Sequence, residues 1–380
     1  MARIVVLGGG TGGAAVARSL AAKLPAGHRV TLVEKEAEVY FQPSFLWVMV
    51  GRRRLDQIGR AVNNLRAAGV EVIIDRALGI DLERRRLRLA GGTLPYDILV
   101  LAAGAEAGEP DPAGLGRAGF NLYTPDGASA VRGAIETLER GEVVLLAAGE
   151  PIKCPPAPYE AALLLHSYFA RKGRGKNIRL SVYTPGTAPL AVAGKGPSDA
   201  IAGALAARGI SFYTGQRLER VDPGRRLIRF SGGGEARFDL LIYVSRHRCP
   251  DAVRQSGLVD DSGWVPVDPF TLCTEAQGVY AIGDVNRVRL PSGDALFKAG
   301  EIAHFQGLVV ADNIAAGLQG REPRRLFGGK LGCVFETGDS ALAIAGNIYR
   351  RRPNLLVLPS SRGWVAVKWL AEREWLREHS

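Results

Sequence analysis

The stretch that most constrains this chain is its start. Ala2 to Leu7 is a short apolar, β-branched run with the character of a buried parallel strand, and it leads straight into Gly8-Gly9-Gly10-Thr11-Gly12-Gly13. The spacing Gly8-x-Gly10-x-x-Gly13 fits a dinucleotide fingerprint. Gly8 allows the tight turn, Gly10 lets the backbone approach a pyrophosphate, and Gly13 lets the next helix, Ala14 to Leu24, pack closely on the strand. A second strand, Arg29 to Val33, ends at Glu34 and Lys35, placing an acid where a ribose 2′-hydroxyl needs one. Gly8, Gly10, Thr11, Gly12, Gly13, Glu34 and Lys35 are therefore expected to bind a dinucleotide.

The 380 residues are long enough for at least two domains. No stretch of eighteen apolar residues occurs, so no membrane span is expected. As written, the chain opens on a strand and leaves no room for a signal peptide. Its 49 basic against 38 acidic residues favour acidic partners or an anionic membrane surface. Nucleic acid is not an expected partner, because Arg52-Arg53-Arg54, Arg84-Arg85-Arg86 and Arg350-Arg351-Arg352 are short scattered runs without interleaved aromatics, read as solvated loops. The four cysteines, Cys154, Cys249, Cys273 and Cys333, form no C-x-x-C pair, which argues against a zinc site and against a disulfide-stapled fold. Cys249 and Cys273 read as small buried hydrophobes. Cys154, in a proline-rich loop after a strand, and Cys333, after a glycine, read as reactive.

Along the chain, Tyr40 to Ser44 is a mixed aromatic loop placed to lie along a cofactor, with Gln42 as a candidate contact. A helix over Leu55 to Ala68 and a strand over Val70 to Ile74 follow, with Ala77 a further candidate beyond it. After a hairpin-like pair, the strand Tyr96 to Leu101 stops at Ala102-Ala103-Gly104, small residues that let a cofactor lie against the backbone. Gly, Pro and Ala dominate Glu106 to Gly119, a linker composition. A second α/β unit then begins, but its turn over Ala147 to Pro156 lacks the glycine fingerprint. Its prolines remove backbone donors, so this unit is not expected to bind NAD(P)H. From Gly263 the chain returns to the first unit. Gly283-Asp284 ends a strand and suits the ribityl hydroxyls of a flavin. A helix starting near Lys298-Ala299-Gly300 turns its positive end toward the flavin ring, where negative charge appears on reduction. The expected fold class is α/β, with two Rossmann-like dinucleotide-binding domains and a C-terminal segment. Residues 1–110 with 264–320 form the first domain, 111–263 the second and 321–380 the segment.

On these residues, and on Lys153-Cys154-Pro155-Pro156-Ala157-Pro158-Tyr159-Glu160, Val279 to Asp284, Lys298-Ala299-Gly300 and Gly332-Cys333-Val334-Phe335, the chain resembles a known group of flavoproteins over nearly its whole length. This is the sulfide:quinone oxidoreductase and flavocytochrome c sulfide dehydrogenase branch of the FAD-dependent pyridine nucleotide-disulfide oxidoreductase superfamily. The resemblance implies FAD lying between Cys154 and Cys333. Sulfide attacks the sulfur bridge of that pair, a persulfide remains on one cysteine, and the other thiolate passes two electrons to the flavin. Glu160 matches the family's proton acceptor. Lys368 sits where the family places a lysine near the flavin. The acceptor is a quinone or, as an alternative, a cytochrome c. An NADH:quinone reductase and a non-catalytic flavin redox sensor are the readings from other classes.

Two departures from that pattern matter. No cysteine occurs between Met1 and Lys153, where quinone-reducing members often carry a third. None occurs in Tyr40 to Pro43 either, where the flavocytochrome branch attaches its FAD, so FAD is expected to be noncovalent. The terminal helix Trp364 to Glu378 mixes Trp364, Trp369 and Trp375 with Lys368, Arg373 and Arg377. That composition suits a membrane interface, and equally packing on the body or on a second copy in a homodimer. A peripheral membrane protein is expected, on the cytoplasmic side as the sequence is written, with the periplasmic side left open.

Overall fold

The computed structural model describes residues 1–108, 114–350 and 354–380. The apolar run at the start forms the strand Arg3–Leu7, and residues 4–7 are nearly inaccessible because both faces of their sheet are covered. The strand lies at the centre of a five-stranded parallel sheet. Arg29–Glu34 and Glu71–Ile74 lie on one side of it, and Ile98–Leu101 and Val279–Ala281 on the other. The register sets Leu7 opposite both Val33 and Leu101, and Leu101 opposite Ala281. Gly8, Glu34, Ala102 and Ile282 therefore emerge along one edge, the carboxyl ends of the strands, where open α/β sheets bind their ligands.

The same organisation occurs twice. A second five-stranded parallel sheet centres on Gly141–Ala147, between Ile178–Tyr183 with Ser211–Tyr213 and Leu240–Val244 with Phe120–Asn121. Each sheet is interrupted by a three-stranded antiparallel meander, Ala77–Asp81, Arg86–Leu89 and Gly92–Pro95 before Ile98–Leu101 in the first case, Leu218–Asp222, Leu227–Phe230 and Glu235–Arg237 before Leu240–Val244 in the second. The expected α/β class with two Rossmann-like sheets is what the chain forms. A third sheet, antiparallel, joins Lys330–Glu336, Ala341–Asn347 and Asn354–Ser361, and the helix Gly363–Glu378 follows it.

Several local expectations need correction. Leu55 to Ala68 is not one helix: a single turn, Leu55–Ile58, gives way to the strand Gly59–Ala61 and a 3₁₀ stretch, Val62–Ala68. Gly59 and the β-branched Val62 favour extended backbone there, and Gly59–Ala61 pairs with Glu38–Tyr40. Cys333 lies in the middle of the strand Lys330–Glu336, a strand the sequence reading did not mark. Glu106 to Gly119 holds the short strand Glu106–Ala107 and the turn of helix Leu115–Ala118; the expected domain boundary at 110/111 lies outside the described residues, as do Arg351 and Arg352. Among the described residues no helix is long and apolar enough to cross a membrane.

Candidate active site

The glycine turn is built for close approach. Gly8 has φ of 111°, and a Cβ there would lie 2.3 Å from the Ala102 carbonyl oxygen. A Cβ on Gly13 would fall 1.8 Å from the Gly8 oxygen, whereas one on Gly10 would meet nothing within 4 Å. The crowding at Gly8 and Gly13 is internal, and the open space at Gly10 faces the ligand side. The helix Thr11–Lys23 starts there with no side-chain cap, so its first N–H groups are available to an anion. Glu34 is fixed by the backbone: Gly9 N–H donates to its Oε2 over 2.6 Å, and Lys35 N–H donates to Oε1 over 2.8 Å. The Lys35 ammonium turns to Glu106 at 2.7 Å.

A second uncapped helix start, Ala299 before Gly300–Leu318, faces the same edge, and a Cβ on Gly300 would stand 3.7 Å from Thr11 Oγ1. Gly283, at φ 68°, turns the chain into Asp284. One carboxylate oxygen of Asp284 is buried without a hydrogen-bond partner, and burial pushes its carboxyl up against the pull of Lys153 and Lys298. Lys298 donates to the carbonyls of Asp284 (2.5 Å) and Asn286 (3.2 Å) and stands 3.3 Å from the Trp264 ring centre; burial lowers its pKa to about 8. An orphaned buried oxygen, an open glycine and two free helix starts on one edge fit a flavin dinucleotide.

The cysteines meet a buried charge network. Cys154 has φ of 45°, a left-handed conformation uncommon for a side-chain-bearing residue, held by its N–H on the Lys298 carbonyl (2.7 Å) and by the Tyr123 hydroxyl and Ala157 N–H on its own carbonyl (2.8 and 3.0 Å). Burial, with the Glu160 carboxylate adding to it, pushes the Cys154 thiol up to about 12. Burial raises Cys333 too, and the charges of Cys154, Glu160 and Glu301 act in the same direction. Both are unbridged thiols. Glu160 lies in the first turn of the helix Ala157–Arg171 and accepts from Glu336 N–H (3.2 Å) and from the Lys368 ammonium. Lys368 also contacts Glu336 at 3.1 Å. Burial alone would discharge Lys368, but the two carboxylates outweigh it and hold the ammonium charged. Glu160 is raised by burial beyond what Lys368 offsets. Glu336, wholly buried, also accepts from Trp47 Nε1 (2.6 Å) and Arg52 (2.7 Å).

A family model described as pyridine nucleotide-disulphide oxidoreductase matches residues 2–146. The mitochondrial sulfide:quinone oxidoreductase of Mus musculus is 24% identical over 364 residues, 92% of this chain and 79% of that protein. The sulfide-quinone reductase of Aquifex aeolicus is 22% identical over 361 residues, 89% of this chain and 82% of that protein. The X-ray structure of the sulfide:quinone oxidoreductase from Aquifex aeolicus superposes with a TM-score of 0.89 at 20% identity, covering 100% of this chain and 91% of that one. Over residues 2–146 the chain matches the pyridine nucleotide-disulphide oxidoreductase family, and over most of its length it is similar to sulfide:quinone oxidoreductases. That similarity implies a flavin cofactor, which the glycine turn, Asp284 and the two helix starts fit.

The structure gathers Gly8, Gly10, Thr11, Gly12, Gly13, Glu34, Gly104, Gly283, Asp284, Lys298 and Gly300 along one sheet edge, and Cys154, Cys333, Glu160 and Lys368 into the buried cluster beside it. Ala77 stands two residues beyond Asp75, whose N–H bonds the Glu34 carbonyl (2.9 Å), so it belongs to the Glu34 end. Gln42 is exposed at the start of the turn Gln42–Ser44. Sequence reasoning missed Trp47, Arg52, Arg53, Glu336 and Glu372. Arg52 and Arg53, expected in a solvated loop, are partly buried on Glu336 and Glu372, and only Arg54 stays exposed, on Asp56. The available signals were the unbroken apolar run Phe45 to Val50 just before the arginines and the spacing of Lys368 and Glu372, one helical turn apart.

Proposed function

We propose that this protein oxidises sulfide to polysulfide sulfur through Cys154 and Cys333, passing electrons by way of noncovalent FAD to a quinone. The observation that carries the reading is the convergence of two cysteines far apart in sequence on one buried cluster, Glu160–Lys368–Glu336, beside the uncapped start of Gly300–Leu318. The names of the relatives support the substrate and the acceptor. In the oxidised pair, hydrosulfide attacks one sulfur of the bridge, the S–S bond breaks, one cysteine keeps the added sulfur as a persulfide, and the other leaves as a thiolate. Glu160 holds the proton that a released thiolate takes up, and Lys368 offers fixed positive charge to both sulfurs. Bound flavin supplies a two-electron acceptor. The positive end of the 300–318 helix and the Asp284 carboxylate position it, and the loop over Tyr40 to Pro43 offers no cysteine to bind it covalently. The flavin unit comprises 1–110 with 264–320.

The quinone reading draws on a surface. Leu356, Val367, Trp369 and Leu370 are exposed on the third sheet and the last helix, and Arg373 lies over the Trp369 ring at 4.7 Å. Apolar side chains edged by a cation suit the interface of an anionic membrane, where a quinone is met. Trp375 does not contribute, being 3% exposed. The test is an anaerobic visible spectrum of the purified protein, titrated with sulfide and separately with NADH. Sulfide is expected to bleach the oxidised-flavin band, and Cys154→Ser to abolish that bleaching while FAD stays bound. Bleaching by NADH alone, or full bleaching by sulfide in Cys154→Ser, overturns the reading.

A further inference from the structure

The helix Gly363–Glu378 does more than deliver Lys368 to the redox cluster. Seven residues on, about 10 Å along its axis, its last turn reaches the glycine turn. Trp375 donates its indole N–H to Thr11 Oγ1 over 2.9 Å. Because the Thr11 oxygen accepts that bond, its own hydroxyl hydrogen is left free to be donated elsewhere. Trp375 packs on Phe41, with ring centres 5.6 Å apart, and stacks on His379 at 3.8 Å with the planes 20° apart. His379 is 1% exposed. Its Nδ1 lies 2.8 Å from the Trp375 carbonyl oxygen, and its Nε2 is buried without a hydrogen-bond partner. Burial lowers the pKa of this imidazole to about 4, against the opposing pull of the Trp375 backbone and of the Gly9 backbone, the second of which belongs to the turn itself. Asn64, donating to the His379 carbonyl (3.2 Å), and Arg60, donating to Ser380 Oγ (3.2 Å), pin the segment down.

A buried polar atom without a partner is costly, and a ligand at the glycine turn, where backbone donors are open, would supply one to the histidine nitrogen. We propose that the segment Trp375–Ser380 is a clasp on the AMP-pyrophosphate half of the flavin dinucleotide: Trp375 orients the Thr11 hydroxyl toward a phosphate oxygen, and Nε2 of His379 hydrogen-bonds the same half. The inference rests on the flavin reading above. It makes one helix the tie between the cofactor's far end and the residues that work at its ring, so that filling the dinucleotide site also steadies Lys368.

The test is flavin titration of the full chain after flavin removal, followed by fluorescence, with FAD and with FMN, which lacks the AMP half. His379→Leu is expected to weaken FAD about tenfold and leave FMN unchanged, as loss of one hydrogen bond to a charged or strongly polar group does. His379→Gln should recover part of the loss. Trp375→Phe keeps the ring packing and removes only the donor, and should weaken FAD several-fold. Equal weakening of FAD and FMN, or no change in either variant, overturns the clasp. If the unaltered chain binds neither flavin, the flavin reading itself falls and takes the clasp with it.

Discussion

Lys368→Met tests the buried network most directly. Methionine approximates the lysine stem in volume, so packing beside Trp47 is kept while the ammonium shared by Glu160 and Glu336 is lost. Glu336 retains Arg52 at 2.7 Å, but Glu160 is left with the Glu336 N–H alone. Removing one partner of a buried pair costs about 3–5 kcal/mol. The pH dependence follows from the direction of the Glu160 shift. Burial already holds that carboxyl above its ordinary value, and without the ammonium it rises further. A carboxyl raised in the folded state contributes stability that is whole below the unfolded value, about 4.3, and is lost as pH rises through the folded value, at up to about 1.4 kcal/mol per unit. The deficit of the variant is therefore expected to be smaller at pH 5 than at pH 8. Urea unfolding followed by tryptophan fluorescence at both pH values measures it. Glu160→Gln combined with Lys368→Met leaves no unpaired charge at this position and should recover much of the loss, a coupling of about 2 kcal/mol. A deficit that is the same at pH 5 and pH 8, or two losses that simply add, would show that the network is not what holds this helix in place.

The glycine turn and the exposed face give two more expectations. Gly10→Ala should fold normally, since φ there is −69° and the added Cβ meets nothing within 4 Å, yet lose FAD affinity; Gly13→Ala, whose Cβ would overlap the Gly8 oxygen at 1.8 Å, should lose thermal stability before any ligand is added. Equal melting temperatures for the two would refute the distinction between ligand space and packing space. The double change Trp369→Glu and Leu370→Glu, at residues 40% and 57% exposed, should abolish flotation with anionic vesicles at unchanged melting temperature. Undiminished flotation would remove this face from the proposed membrane contact.

What was legible in the sequence is what local chemistry dictates. The first strand, the turn and Glu34 lie within one βαβ unit, where glycine spacing and an apolar run leave few alternatives, and the return of Val279–Ala281 to the same sheet was marked by Gly283-Asp284. The second unit was legible from its strands, and its altered turn from its prolines. The third sheet was not, because Lys330–Glu336 carries Gly332 and two charges, and its partner strand Ala341–Asn347 is half alanine and glycine, so neither reads as a β-branched run. The arginines at 52 and 53 failed for a different reason. Whether a guanidinium is solvated or paired depends on carboxylates some 280 or more positions away, Glu336 and Glu372, and no local pattern encodes that. The tryptophans of the last helix divided likewise: composition left a membrane interface and packing on the body or on a second copy equally open for all of them, and the 3.6-residue period turns Trp375 inward to Thr11 and leaves Trp369 outside.

The directions of the shifts bear on why Lys368 and Glu160 stand together. Both cysteine thiols are raised by burial, so neither is a ready nucleophile at neutral pH, and on the proposed reading the attacking group is hydrosulfide, which arrives already charged. The same burial makes a released thiolate unstable unless it meets a cation or a proton. An unaccompanied buried lysine would lose its charge and an unaccompanied buried glutamate would keep its proton, and neither would then serve. Paired, with Glu336 as a second carboxylate for the lysine and Arg52 holding Glu336 in turn, the lysine stays a fixed positive charge while the glutamate remains titratable. On that reading one member stabilises the sulfur anion and the other exchanges its proton, a division of roles that needs the second carboxylate and its arginine as much as it needs the cysteines.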